Sequence, residues 1–122
     1  MTRAKRGQDA ISDAVKAWAD EAIQRFNREV IGDPAEYYTA RYRGRYLYLD
    51  RANFGMPSPV CRLAYTGDTA RWDFAIYKYS DERYDADEWF FPGAECVDGT
   101  IEGAMRAGLQ AYPRPRGVTA AS

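Results

Sequence analysis

Histidine is absent from all 122 residues of this chain. That absence removes the commonest general base near neutral pH, the commonest metal ligand and every catalytic triad built on imidazole. Cysteine is nearly absent too. Cys61 and Cys96 are the two present, with neither metal-ligand spacing nor the density of a disulfide framework. Both are expected as reduced thiols, with Cys61 in the core. No apolar run approaches the roughly 20 residues that span a bilayer. The opening MTRAKRGQDA has basic residues with no apolar signal core behind them, so a cytoplasmic protein is expected. Net charge is also scarce, at -1. It offers no global pull toward nucleic acid or anionic membrane, and any such affinity has to be local.

What is present is apolar and aromatic material, 46% and 15% of the residues. That suffices for one compact domain and falls short of two. The expectation is a single α+β domain over residues 1–113, with a flexible tail over 114–122, where RPRGVTAAS has too little apolar content to pack.

From about Gln8 to Ile31 the residues Ile11, Val15, Trp18, Ala22 and Phe26 recur every three or four positions, widened by Ile23 and Val30. This spacing predicts an amphipathic helix. Gly32 followed by Asp33-Pro34 stops it. Its other face carries Asp13, Lys16, Asp20, Gln24 and Asn27, which reads as solvated.

The stretch EYYTARYRGRYLYLDR, residues 36–51, holds five tyrosines and four arginines around one glycine. A two-residue turn at Arg43-Gly44 would pair Arg41 with Tyr46, Ala40 with Leu47 and Tyr38 with Leu49. Tyr38, Ala40, Leu47 and Leu49 then share an apolar face, and Tyr37, Thr39, Arg41, Tyr46 and Tyr48 the other. After ANFGMPSP, read as a loop, a second hairpin pairs Tyr65 with Trp72, Leu63 with Phe74 and Cys61 with Ile76, all on one face. Its outer side carries Arg62, Ala64, Asp73, Ala75 and Tyr77. Trp89, Phe90 and Phe91 read either as a short edge strand or as a loop over the open end of the core. Asp98 or Thr100 caps a last helix with Ile101, Ala104, Met105, Gly108 and Tyr112 on one face, stopped by Pro113. The result is an antiparallel sheet of four or five strands, covered on its apolar face by the first helix.

With these pieces in order, RYLYLDR, PVCRLAYTGDTARWDFAIYKYS and DGTIEGAMRAGLQAY give the chain a resemblance to small single-domain bacterial proteins of uncharacterised families. It covers residues 10–112 or so. The resemblance implies the fold class and assigns no catalytic or binding residue.

Three surfaces carry chemistry. The hairpin face of Tyr37, Arg41, Arg43, Arg45, Tyr46, Tyr48, Arg62 and Tyr77 suits a protein partner, a weak homodimer or nucleic acid, since guanidinium groups meet phosphates while rings stack on bases. Arginine–tyrosine stacking within a solvated sheet face accounts for the same composition without any partner. No RNP-like aromatic pattern occurs in the strands. The acidic run SDERYDADEWF crowds Asp85, Asp87 and Glu88 into four positions, which suggests a weak divalent-metal enzyme. The spacing fails the EF-hand test, and a solvated acidic turn is the plainer reading. Neither cysteine reads as activated: Cys61 faces the predicted core, where a thiol is usually inert, and Cys96 lies next to the negative charge of Glu95, which does not favour a thiolate. In DRANFGMPSPV, Phe54 and Met56 either tuck under the second hairpin or form a contact patch. The expected function is a non-catalytic binding module that needs no cofactor.

Overall fold

The computed structural model describes residues 10–113. The expected tail at 114–122, and the start of the first helix at Gln8, lie outside them. The element order is a helix α1 (Asp13–Phe26), five strands β1 (Glu36–Arg43), β2 (Tyr46–Asn53), β3 (Met56–Tyr65), β4 (Trp72–Lys78) and β5 (Arg83–Asp85), and a helix α2 (Ile101–Ala111). The strands form one antiparallel sheet in chain order. This is the α+β architecture that the pattern predicts. No described helix is long and apolar enough to cross a membrane.

Helix α1 begins at Asp13 because the Ser12 side chain accepts the Val15 N–H. Its last turn widens into a π-helix over Asn27–Ile31 and ends at Gly32 with φ 59°. The wide turn rotates the apolar stripe by one residue. Ile31 is buried in place of Val30, and Val30 faces solvent. Trp18 is also exposed, because Ala19, Ala22, Ile23 and Phe26 are the residues that meet the sheet. Asn27 is not a solvated residue: its amide accepts the Tyr38 N–H at 2.8 Å and donates to the Tyr38 carbonyl at 2.9 Å. It therefore bonds to edge strand β1 as a neighbouring strand would. Asp20, likewise read as solvated, accepts the Tyr42 hydroxyl at 2.7 Å.

The first hairpin turns at Gly44-Arg45, one residue later than predicted, so Arg41 faces Tyr48, Ala40 faces Leu49 and Tyr38 faces Arg51. The slip is two positions in register, and a two-residue slip keeps every side chain on its face. The second hairpin has the predicted register, with Cys61 opposite Ile76, Leu63 opposite Phe74 and Tyr65 opposite Trp72.

The expected loop between them is itself a hairpin. Asn53 pairs with Met56 across a turn at Phe54-Gly55, and Pro57 and Pro59 lie inside β3. The prolines are tolerated because β4 pairs only with Cys61–Tyr65, which leaves this end of β3 open on that side. The Pro59 carbonyl points that way and accepts the Tyr79 hydroxyl at 2.6 Å. Leu49 pairs with Cys61 while Asp50 pairs with Pro59, which leaves Val60 as an extra residue in a bulge. Val60 and Cys61 are consequently both buried.

Leu47, Leu49, Leu63, Phe74 and Ile76 are all buried, as expected. Both helices cover them: α1 lies against β1, and α2 lies against β3 and β4. Thr100 rather than Asp98 caps α2, accepting the Gly103 N–H at 2.9 Å, while Asp98 holds the Thr100 hydroxyl at 2.6 Å. The fifth strand is only Arg83–Asp85. Residues 89–91 form a loop in which Phe91 and Trp89 close over Phe74, with ring centroids 5.9 Å away in each case, and Phe90 points outward.

Candidate functional site: the outer face of the sheet

Both helices lie on one side of the sheet, so its other side is free to carry a second layer. Alternation along β2 puts Tyr46, Tyr48 and Asp50 there, and the register adds Arg41 from β1, Arg62 from β3, Tyr77 from β4 and Tyr84 from β5. Alternation also places the small residues Ala64 and Ala75 on this face, and both are buried.

Guanidinium groups and rings alternate across the face. Arg41 lies 4.9 Å over the Tyr48 ring, and Arg62 lies 4.5 Å over Tyr46 and 5.5 Å over Tyr84. Arg45 covers Tyr46 from the turn at 5.0 Å. Tyr84 packs edge-on against both Tyr48 and Tyr77, at 5.3 and 4.9 Å between centroids. Each such cation–π or ring contact contributes about 0.5 to 1 kcal/mol at an exposed site.

Arg41 is the most tightly held of these cations. Its fork donates to Asp50 from Nε at 2.7 Å and from Nη2 at 3.1 Å. Asp50 is almost fully buried, and this bidentate bond raises the Arg41 pKa above the usual arginine value. Burial raises the Tyr84 phenol, against the opposing effect of Arg41, so this ring stays neutral at ordinary pH.

Of the eight residues assigned to this face from the sequence, Arg41, Arg45, Tyr46, Tyr48, Arg62 and Tyr77 come together. Arg43 is opposite Tyr46 in register with its side chain exposed. Tyr37 stands apart, lining a surface groove with Gln24, Asn27 and Pro34 beside α1. Sequence reasoning missed Asp50 and Tyr84. The missing signal was register: with the turn placed one residue early, Asp50 falls opposite Tyr37 rather than beside Arg41.

The acidic turn has a different organisation. Lys78 lies among its carboxylates, 3.1 Å from Glu88, 3.7 Å from Asp81 and 3.9 Å from Asp85. Arg83 adds contacts to Asp85 at 3.3 Å and Asp81 at 3.9 Å. The hydrogen bond to Glu88 leads the effects that raise the Lys78 pKa, so its charge persists. The Asp87 N–H is donated to Asp85. Among the described residues no group of three or more histidines, cysteines or carboxylates is arranged to hold a metal ion.

Phe54 and Met56 are 81% and 70% exposed, so they do not tuck under the second hairpin. Phe54 also has φ 53°, a left-handed conformation unusual for a bulky residue. Cys61 is fully buried, and burial pushes its thiol pKa far up, with the Asp50 charge adding to the effect. Cys96 is half-buried. Native protein treated with iodoacetamide is therefore expected to alkylate at Cys96, with Cys61 slower by about a hundredfold or more because it reacts only through opening of the fold. Peptide mapping of a time course checks this; equal rates would place Cys61 at the surface.

No family model matches this chain, and no curated protein or solved structure matches it either. The geometry of the face therefore carries the functional reading alone.

Proposed function

We propose that this protein is a non-catalytic, cytoplasmic binding module that uses the arginine–tyrosine face of its sheet to hold a protein partner. The observation that supports this is one continuous layer in which Arg41, Arg45 and Arg62 alternate with Tyr46, Tyr48, Tyr77 and Tyr84 on the side of the sheet that neither helix covers. Tyrosine and arginine are the residue types that anchor protein interfaces, because each brings a large contact area with a polar end. The layer is also rigid before any partner arrives: Asp50 fixes Arg41, and Tyr84 wedges between Tyr48 and Tyr77. Little side-chain entropy is then lost on docking.

The test is recovery of partners from the native host with wild-type protein and with Arg62→Glu and Tyr48→Ala variants. Both variants are expected to fold, since these side chains lie outside the apolar core, and to lose the partner that the wild type retains. A partner held equally by all three overturns the reading. Sedimentation at several concentrations and salt strengths shows whether that partner is a second copy. Binding of a single-stranded oligonucleotide that weakens steeply with salt would instead assign the face to nucleic acid.

A further inference from the structure

On the helix side of the sheet, past the end of α2, the wall of the fold encloses a cavity of about 280 Å³ lined by Glu36, Arg51, Asn53, Ser58, Tyr79 and Tyr112. Arg51 is only 8% exposed. It stands opposite Tyr38 in the β1–β2 register, and its guanidinium lies 5.5 Å over the Tyr38 ring. Nη2 donates to the Tyr112 carbonyl at the end of α2. Nη1 is buried with no hydrogen-bond partner. A permanently charged fork with one arm satisfied and one arm idle is what a planar two-oxygen acceptor completes.

The remaining walls narrow the class of acceptor. Glu36 is buried in the same wall, and a planar carboxylate matches the flat fork of Arg51. Tyr79 and Tyr112 present their rings, edge to face at 5.3 Å. Their hydroxyls are already engaged, Tyr79 with the Pro59 carbonyl and Tyr112 with the Tyr77 carbonyl. Pro59 and Val60 complete an apolar wall. The volume falls just below the roughly 300 to 1,000 Å³ usual for drug-sized ligands, so a single ring with a small head group is the scale that fits.

We propose that this cavity binds a small monocarboxylate, its carboxylate meeting Arg51 and its apolar body lying against Tyr79 and Tyr112. Tyr79, which is 47% exposed, forms the outward part of that wall. The site is separate from the outer sheet face and stands or falls independently of it.

Benzoate is the probe. Titrated into wild-type protein at constant ionic strength, it is expected to shift the Arg51 side-chain nitrogen resonances and the ring signals of Tyr79 and Tyr112 saturably, and to raise the melting temperature. Chloride and phosphate at the same ionic strength are expected to leave these signals in place. No saturable change at Arg51 with benzoate overturns the proposal, and so does an equal response to chloride or phosphate, which would mark an adventitious anion site only. Arg51→Lys keeps the charge and loses the fork, so benzoate affinity is expected to fall about tenfold. Tyr79→Ala removes one ring of the cavity wall and is expected to weaken benzoate as well. Either variant binding as tightly as wild type also overturns it.

Discussion

Replacing Phe74 with alanine lowers the stability of this protein by about 3 to 5 kcal/mol, read from urea or thermal unfolding. Phe74 is 5% exposed and lies at the centre of β4, opposite Leu63. Its ring stacks on Phe91 with 18° between the planes and supports Trp89, so the loop over residues 89–91 rests on it. Removing the ring takes away its own burial and also the floor of that loop. The variant should therefore show changed Trp89 fluorescence while still folded, an effect that a simple cavity elsewhere in the core would not produce. A loss below about 1 kcal/mol, with fluorescence unchanged, would mean that the site collapses around the deletion and that the loop is held by other contacts.

Gly108→Ala is expected to destabilise by about 1 to 3 kcal/mol through overpacking, although glycine to alanine inside a helix ordinarily stabilises by about 0.5 to 1 kcal/mol. The reversal comes from the tertiary contact. A Cβ at Gly108 would collide with the Tyr38 hydroxyl and with a methyl group of Val60. Tyr38 cannot yield easily, because its hydroxyl donates to the Met105 carbonyl at 2.8 Å in a fully buried setting, where burial also raises its pKa. Tyr38→Phe separates the causes. Combined with Gly108→Ala it should recover part of the loss, giving a coupling of about 0.5 kcal/mol or more between the two sites. A Gly108→Ala protein more stable than the wild type would show that α2 does not approach the sheet this closely.

Gly108 also shows the division between what can be read in the chain and what cannot. As a letter in IEGAMRAGLQAY it is a poor helix residue on an apolar face. Only when α2 crosses β1 and β3 does it become the one residue type that fits beneath Tyr38 and Val60. Trp18 and Val30 make the same point in reverse. Their spacing places them on the buried stripe, yet the π-turn at Asn27–Ile31 and the position of α1 over β1 leave both exposed.

The sequence by itself determined the two helices, the two outer hairpins, the faces of four strands and the core residues Leu47, Leu49, Leu63, Phe74 and Ile76, while the hairpin at Phe54-Gly55 read as a loop. Side-chain alternation has a period of two, so these assignments survive a turn misplaced by one residue and a register misplaced by two. It also determined that arginine and tyrosine would share the uncovered face. Only the tertiary structure decided which arginine meets which ring. The pairing of Arg41 with Asp50 depends on a register that Gly44 alone does not fix, and Tyr84 joins the face through a three-residue strand too short to carry a pattern. The cavity at Arg51 was invisible for the same reason. It is made by β1, β2, β3, the residue after β4 and the end of α2, segments far apart in the chain, and no local periodicity records where they converge.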